Sequence, residues 1–239
     1  YTVTVSGQGG VTSSQQTWVS GTPLSVATLN FGFFADAGQF FAPVPPPSDG
    51  ATYFAETGHA LRGVFKAYWQ RHGGLPIFGF PTSEEFVEKG EDGREYTVQY
   101  FERHRFELHP ENAAPYDVLL SRLGDSILQL NGRNWYEFPK GGPKPNCIYF
   151  DATGHSLCEP FLSYWRANGL EIDGRRGKTY AESLALFGQP LSEQQVETLS
   201  DGQLHFVQWF ERARFETHGE RVLLGLLSNE LAAARGWRR

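Results

Sequence analysis

Residues 98–107 read VQYFERHRFE and residues 207–216 read VQWFERARFE, so eight of ten positions are identical at an offset of 109. A second match precedes it, because YFAETGHALRGVFKAYW at 53–69 is answered by YFDATGHSLCEPFLSYW at 149–165, at an offset of 96. Self-similarity of this kind indicates an architecture built from repeated structural units. The chain therefore contains two copies of one unit.

The spacing between the matched stretches differs in the two copies. FGFPTSEE at 78–85 corresponds to FGQPLSEQ at 187–194, and the growth of the offset from 96 to 109 places a 13-residue insertion around 171–186. Proline-rich and glycine-rich turn chemistry at 43–50 and 131–145 marks two boundaries. We therefore divide the chain into an N-terminal segment at 1–50, repeat one at 51–130, a linker at 131–148 and repeat two at 149–239.

Each repeat is predicted to begin with a helix. The apolar residues after Thr57 have the i, i+4, i+7, i+8 spacing of one helical face: Leu61, Phe65, Tyr68 and Trp69. In repeat two, Pro160 is disfavoured inside a helix, so the helix is expected to start near Glu159 with Thr-Gly-His in a preceding turn. As members of an apolar stripe, Trp69 and Trp165 are predicted to lie in the core rather than to form a stacking platform.

A small sheet is predicted after the helix. The runs at Tyr96–Tyr100 and Arg105–His109 alternate with period two, which favours strands or a hairpin. Before them, Ser83-Glu84 is expected to open a short helix after Pro81. The predicted fold class is α+β: a β-rich N-terminal segment followed by two tandem repeats, each a helix plus a small antiparallel sheet.

The N-terminal segment opens with an alternating run, YTVTVS, which places Tyr1, Val3 and Val5 on one face of a predicted strand. Two hypotheses follow for this strand. It pairs with the sheet edge of a neighbouring copy, which gives head-to-tail filaments. Alternatively, it folds back onto its own chain.

Composition argues against two classes of partner. The net charge is −6, and 21 basic residues are dispersed without a long Lys/Arg run, so nucleic acid is not expected as a partner. No apolar stretch approaches the roughly 20 residues of a membrane-spanning helix. The chain has no Met and begins at Tyr1, which indicates either a mature chain after signal removal or a recombinant fragment. We favour export and expect an extracellular or cell-surface location.

The two cysteines, Cys147 and Cys158, are predicted to form a disulfide, because a pair at this spacing in an exported protein is typical of one. The rival hypothesis is a catalytic thiol beside His155. Arg62 occupies the position of Cys158 in repeat one, so the thiol does not belong to the plan that the repeats share.

Taken together, the Tyr-Trp helix, Gly-Gly-Leu, Phe-Gly-x-Pro-x-Ser-Glu and Val-Gln-x-Phe-Glu-Arg motifs resemble the LGFP-type repeats of exported, cell-wall-associated bacterial proteins. The turn departs from the Leu-Gly-x-Pro form of that family, since Phe78 and Phe187 replace the leucine. The resemblance implies a non-catalytic attachment or surface module that often accompanies a separate enzyme. It supplies no catalytic residue.

Candidate site residues come mainly from duplicated charges. The candidate ligand or interface residues are Arg103, Arg105 and Glu107, with Arg212, Arg214 and Glu216 as their counterparts. We expect Arg103, Arg105 and Glu107 to share one strand face. Guanidinium groups beside aromatics suit a sugar or a carboxylate, whereas duplicated Glu-Arg pairs also form ladders that fix packing.

Three further groups of residues are candidate sites: two duplicated pairs of histidines and one set of acidic residues. The duplicated histidines are His59 and His155, and His109 and His218, which suit either metal binding or structural hydrogen bonds. Glu84 and Glu85, with Glu193 and Gln194, give a carboxylate pair of the kind that glycosidases use. Structural roles are favoured for all of these groups, and no catalytic motif, cofactor or metal site is predicted.

The sequence therefore predicts a non-catalytic extracellular structural or assembly protein of the bacterial surface that self-associates through its N-terminal strand. The first alternative is a cell-wall or glycan-binding attachment module. The second alternative is a hydrolase, which requires a cleft with a perturbed carboxylate or a bound metal.

Overall fold

The computed structural model describes residues 37–90 and 92–238, together with two short strands, β1 (Val5–Ser6) and β2 (Thr12–Ser13). These belong to two compact units, Tyr1–Ala35 and Asp36–Arg239. In the first unit, Val5 pairs antiparallel with Ser13, so this part of the predicted strand has a partner in its own chain. Tyr1 and Val3 lie outside the described residues.

In its described residues, repeat one contains six strands and three helices. In chain order they are β3 (Thr52–Phe54), β4 (His59–Leu61), α1 (Gly63–Arg71), α2 (Gly74–Phe78), β5 (Phe86–Lys89), β6 (Glu95–Tyr100), β7 (Arg105–Leu108), β8 (Val118–Leu120) and α3 (Leu123–Leu130). A 3-10 helix at Ala37–Phe41 precedes the repeat, and another at Trp135–Glu137 follows it.

Repeat two has the same order of elements. They are β9 (Ile148–Phe150), β10 (His155–Leu157), α4 (Phe161–Ala167), α5 (Tyr180–Phe187), β11 (Gln195–Thr198), β12 (Leu204–Trp209), β13 (Arg214–His218), β14 (Arg221–Leu224) and α6 (Leu227–Ala234). Each repeat is thus a two-stranded hairpin, two helices, a four-stranded antiparallel meander and a closing helix. This agrees with the predicted α+β class.

Equivalent side chains are buried in equivalent places. Phe78 meets Phe106 edge to face at 4.8 Å between ring centroids, and Phe187 meets Phe215 at 4.7 Å. The apolar core consists of two clusters, and each cluster draws residues from both repeats. The repeats therefore share both clusters, as expected where the stacking of neighbouring repeats buries their apolar faces.

The closing helices connect the repeats reciprocally. The backbone N–H groups of Gly124 and Asp125 in α3 donate to the Glu211 carbonyl of repeat two at 3.1 and 3.4 Å, while Asn229 in α6 donates to the Glu102 carbonyl of repeat one at 3.3 Å. Each closing helix thus docks on the Phe-Glu-Arg turn of the other repeat.

The helix after Thr57 begins later than predicted, at Gly63. His59–Leu61 form β4, which pairs with β3 through a turn where Gly58 has a φ of +73° and donates to the Phe54 carbonyl at 2.8 Å. Leu61 is buried from this strand, so its helical spacing from Phe65 is coincidental. In repeat two, α4 begins at Phe161 behind Pro160, close to the predicted start.

Of the other local predictions, the paired strands are confirmed and the short helix is wrong. The strands predicted at Tyr96–Tyr100 and Arg105–His109 are β6 and β7, which pair antiparallel. No helix begins at Ser83-Glu84, because Ser83 accepts the Tyr100 N–H through its hydroxyl and the chain runs directly into β5. The predicted linker at 131–148 contains the buried Trp135, which packs in a core cluster.

Within the residues that the structure describes, none of the helices has the length and hydropathy that a membrane span requires.

Candidate functional site

The histidines after each Thr-Gly are held by glutamates. His59 Nδ1 lies 3.4 Å from Glu84, which also accepts the Ala60 N–H at 2.9 Å. His155 and Glu193 repeat this arrangement at 3.3 Å. Burial lowers the pKa of both histidines below their usual value, so both favour the neutral ring. The Glu84 and Glu193 carboxylates thus tie a hairpin to the chain before the meander.

Arg105, one of the duplicated arginines, is held by two glutamates and a serine of its own repeat. Arg105 donates to Glu88 at 3.0 Å and to Glu107 at 2.5 Å, and its Nε donates to Ser121 at 2.6 Å. The side chains of Arg105 and Glu107 lie on one face of β7, as the alternation predicts.

Its counterpart in repeat two has a different set of acceptors. Arg214 donates to Glu216 at 2.8 Å through Nε and to Glu230 of α6 at 2.7 Å. The Arg214 side chain is more than nine-tenths buried. Both arginines therefore have several of their donors committed to carboxylates inside their own repeat.

Arg103 and Arg212 lie in the turn between paired strands, and not on the strand face that we predicted for Arg103. The turn forms because Glu102 accepts the Phe80 N–H at 3.2 Å, as Glu211 accepts that of Gln189. The Glu102 side chain lies so close to residue 79 that only glycine fits there, since a Cβ on Gly79 (φ +81°) would lie 2.5 Å from the Glu102 carboxylate. This contact explains the Phe-Gly-x-Pro and Phe-Glu-Arg motifs together.

A cavity of about 450 Å³ opens between the repeats. Its aromatic and polar wall comes from repeat one, and its opposite wall includes Leu170, Ile172, Ala185 and Arg212 of repeat two. Among the six predicted residues, Arg105, Glu107 and Arg212 line the cavity. Arg103, Arg214 and Glu216 do not, so the structure separates residues that the sequence presents as equivalent.

The cavity wall also contains residues that sequence reasoning missed. They are Tyr68, His72, Asp92, Tyr96, Tyr116, Ser121 and Arg122. All seven belong to repeat one, and the folding of that repeat brings them to one wall. Arg122 is the most informative of these, because it donates to Glu211 of repeat two at 2.7 Å and to Asp125 of its own repeat at 3.2 Å.

Burial sets the charge state of several groups in the wall. It raises the pKa of Tyr68, so this phenol stays protonated and can donate a hydrogen bond. Burial, assisted by Arg71 and Lys178, lowers the pKa of His72 to about 4. The neutral His72 ring accepts the Glu171 N–H at 2.8 Å and thereby joins repeat one to the insertion of repeat two.

A different cluster lies at the far end of the repeat-two meander. Asp201, His205 and His218 each offer one ligand atom, and these atoms lie within 4.8 Å of one another. His218 was a sequence candidate, whereas Asp201 and His205 were not. A second acidic cluster, Glu171, Asp173 and Glu182, is accounted for by the capping box in which Glu182 accepts the Thr179 N–H.

The predicted disulfide is present: Cys147 is bonded to Cys158, with 4.5 Å between their Cα atoms. It joins the segment before β9 to the end of β10. Trp165 is buried as predicted, while Trp69 is only partly buried and donates its Nε1–H to the Gly79 carbonyl at 3.0 Å.

In comparisons with known proteins, the chain matches no protein-family model and no curated sequence. The likeness to LGFP-type repeats therefore stays a prediction.

Proposed function

We propose that this chain is a non-catalytic attachment module of an exported bacterial surface protein and that it binds a cell-wall saccharide in the cavity between its repeats. The observation that carries the proposal is the composition of that cavity. It combines tyrosine rings with charged side chains from both repeats, within a volume typical of small-ligand sites. The exported, wall-associated setting rests on the family resemblance and agrees with the disulfide.

The chemistry of the wall suits a sugar ring. Tyr96 and Tyr116 line the cavity, and the apolar face of a tyrosine ring is a surface against which the C–H face of a pyranose can pack. Arg105, Glu107 and Arg212 supply donors and acceptors for sugar hydroxyls or for an acidic substituent. Three arginines against two carboxylates in the wall favour a neutral or acidic saccharide over a basic one.

The experiment is binding of the chain to purified cell-wall polysaccharide, measured by pull-down and by titration calorimetry. Arg212→Ala removes a cavity donor and is expected to weaken binding by about tenfold or more, the value of one hydrogen bond to a charged group. The matched control is Arg103→Ala, because Arg103 is the repeat-one counterpart of Arg212 and lies outside the cavity. Equal losses in the two variants would contradict the proposal.

A second variant guards against a folding defect. Tyr116 is 56% exposed at the cavity, so Tyr116→Ala is expected to keep the fold while it weakens binding. Unchanged affinity in both Arg212→Ala and Tyr116→Ala would place the ligand elsewhere.

Self-assembly is a second candidate function, favoured by an apolar surface on repeat two. Val196, Leu204 and Phe206 are 53%, 72% and 56% exposed on β11 and β12, where Val196 is paired with Phe206. Their repeat-one counterparts include Glu95 and Thr97 in place of Leu204 and Phe206. An apolar surface of this kind suits contact with a second copy of the chain.

This candidate is tested by light scattering at increasing concentration. The double variant Leu204→Glu, Phe206→Thr gives repeat two the residues of repeat one, and deletion of residues 1–12 removes the predicted assembly strand. A particle mass that falls in either variant supports assembly through that surface. A strictly monomeric wild-type chain rules out both routes.

A further inference from the structure

We infer that Asp201, His205 and His218 form a binding site for a divalent transition metal of the zinc type at the end of the repeat-two meander. The inference is independent of the cavity, since none of these three residues lines it. One ligand atom from each residue already lies within 4.8 Å of the others. Imidazole nitrogen and carboxylate oxygen are ligands that Zn²⁺ takes in proteins.

The strand register brings the two histidines together. Val207 is paired with Glu216 across β12 and β13, so the same register places His205 opposite His218. Their ring centroids lie 4.2 Å apart, which is close for two groups that repel when both are charged. Asp201 reaches the pair from the turn before β12, at 2.8 Å from His205 Nε2.

Backbone bonding fixes the tautomer of His205. Its Nδ1 lies 2.7 Å from the Thr217 carbonyl oxygen, which can only accept, so Nδ1 carries a hydrogen. The Nε2 of a neutral ring then points its lone pair at the Asp201 carboxylate. A positive centre must lie between these two atoms, and it is either a proton or a metal ion.

His218 has the partner that a metal-bound histidine usually has. Its Nε2 lies 2.9 Å from the Glu216 carboxylate, which leaves Nδ1 free of the pairing. A carboxylate behind a histidine orients the ring and raises its basicity toward a metal. Arg214 holds Glu216 in turn at 2.8 Å, so the supporting carboxylate is itself fixed.

The geometry needs only a small adjustment to hold zinc. In tetrahedral coordination with bonds of about 2.0–2.1 Å, neighbouring ligand atoms lie about 3.3 Å apart. Asp201 is exposed and His218 is half-buried, so both can move by this amount, while His205 is buried and fixed. Three protein ligands leave a fourth position for water or a ligand from another molecule.

Repeat one provides an internal comparison. The corresponding residues are Asp92, Tyr96 and His109, and they keep the same arrangement: the Tyr96 hydroxyl donates to Asp92 at 2.6 Å, and the rings of Tyr96 and His109 lie 4.5 Å apart. A neutral phenol satisfies Asp92 with its own proton and is a poor zinc ligand. The exchange of Tyr96 for His205 is therefore the change that makes the cluster suitable for a metal.

The test is calorimetric titration of the whole chain with ZnCl₂ at neutral pH in a buffer without chelators. One Zn²⁺ per chain is expected for the wild type. His205→Tyr reproduces the repeat-one cluster and is expected to lower the affinity by at least about tenfold. No binding by the wild type would mean that a proton alone occupies the cluster, and equal binding by His205→Tyr would place the metal elsewhere; either result overturns the inference.

Matched variants of the two repeats locate the metal. His218→Ala is expected to lose binding, whereas His109→Ala, its repeat-one counterpart, is expected to keep it. The opposite pattern overturns the inference. Zn²⁺ should also raise the thermal midpoint of the wild type but not that of Asp201→Asn, since a ligand that binds only the folded state stabilises it. An equal rise in both proteins counts against the site.

Discussion

The two repeats share most of their core and their turns but differ at particular places, some buried and some facing solvent or the cavity. Gln99 donates to the Ala60 and Ser83 carbonyls at 2.9 Å, and Gln208 makes the same two bonds at 3.0 and 2.8 Å. By contrast, Tyr96 in the cavity wall corresponds to His205 in the proposed metal site. Shared residues such as Gln99 and Gln208 hold the architecture, whereas the exchange of Tyr96 for His205 changes the chemistry of an equivalent place.

The closing helices provide the largest expected contrast. Gly124 of α3 packs so closely on repeat two that a Cβ would lie 1.9 Å from the Phe210 carbonyl oxygen, whereas Ser228 fills the equivalent place in α6. Gly124→Ser is therefore expected to destabilise the chain by about 3 kcal/mol or more, through overpacking against backbone.

Urea unfolding at neutral pH measures this effect, with Ser228→Gly as the matched control. The control is expected to cost no more than about 1 kcal/mol, mainly through helix propensity. If Gly124→Ser were as stable as the wild type, the reciprocal docking of the closing helices would be looser than the contacts indicate.

The second contrast is covalent. Cys147 of the linker is bonded to Cys158 of repeat two, whereas Arg62, the repeat-one counterpart of Cys158, forms ion pairs with Asp49 at 2.8 Å and with Glu84 at 3.0 Å. Cys147→Ser with Cys158→Ser is expected to cost about 3 kcal/mol, because the bond closes a short loop and restricts the unfolded chain. Arg62→Ala is expected to cost about 1 kcal/mol, since both of its ion pairs are partly exposed and each contributes little.

Unfolding of the oxidised wild type, the reduced wild type and the two variants separates these contributions. The reduced wild type should match the double serine variant. A larger cost for Arg62→Ala than for loss of the disulfide would reverse the comparison.

The third contrast concerns a buried histidine. His104 is 1% exposed, its two ring nitrogens have no partner among the described residues, and repeat two has Ala213 in its place. Burial, with the nearby Arg103 and Arg212 charges, lowers the pKa of His104 to about 3. The unfolded chain therefore binds a proton below pH of about 6.5 that the folded chain does not.

The free energy of unfolding should thus fall as the pH decreases from about 6.5 to about 3. The contribution of His104 at pH 5 is about 2 kcal/mol, from roughly 1.4 kcal/mol for each pH unit below the unfolded pKa. His104→Ala installs the repeat-two residue and should remove this part of the pH dependence while His59, His72 and His155 keep theirs. Parallel pH profiles of stability for the two proteins would show that folding does not lower the pKa of His104.

The sequence predicted the features that depend on local pattern or on duplication. The repeat follows from duplication, β6 and β7 follow from alternation, and the disulfide follows from cysteine spacing together with the expectation of export. The β3–β4 hairpin was missed because Leu61 continues a helical spacing by chance, and only the turn at Gly58 shows that the chain reverses. The closing helices were missed because their residues differ between the copies, so the comparison of repeats gave no signal.

The candidate sites were harder to predict, for a physical reason. The cavity depends on how the repeats pack, so a residue such as Arg122 has no local signature. The metal cluster left a trace, since Asp92 and His109 correspond to Asp201 and His218 at the offset of 109. Recognising it required the pairing register, because only that places His205 opposite His218.

The smallest expected contrast concerns the helices before the meanders. α5 has eight residues and a capping box in which the Thr179 hydroxyl accepts the Glu182 N–H and Glu182 accepts the Thr179 N–H, whereas α2 has five residues and Gly73 at its N-cap. Thr179→Ala is expected to cost about 1 kcal/mol, because it leaves an N-terminal donor of α5 without its acceptor.

Gly73→Ala is not an equivalent control, since Gly73 has a φ of +114° and a Cβ there would lie 2.5 Å from Ile77. Thr179→Ser is the better control, as it keeps the hydroxyl and should restore most of the stability in thermal unfolding. If Thr179→Ser were as destabilised as Thr179→Ala, the lost contribution would be the methyl packing of Thr179, and the longer helix of repeat two would not depend on its cap.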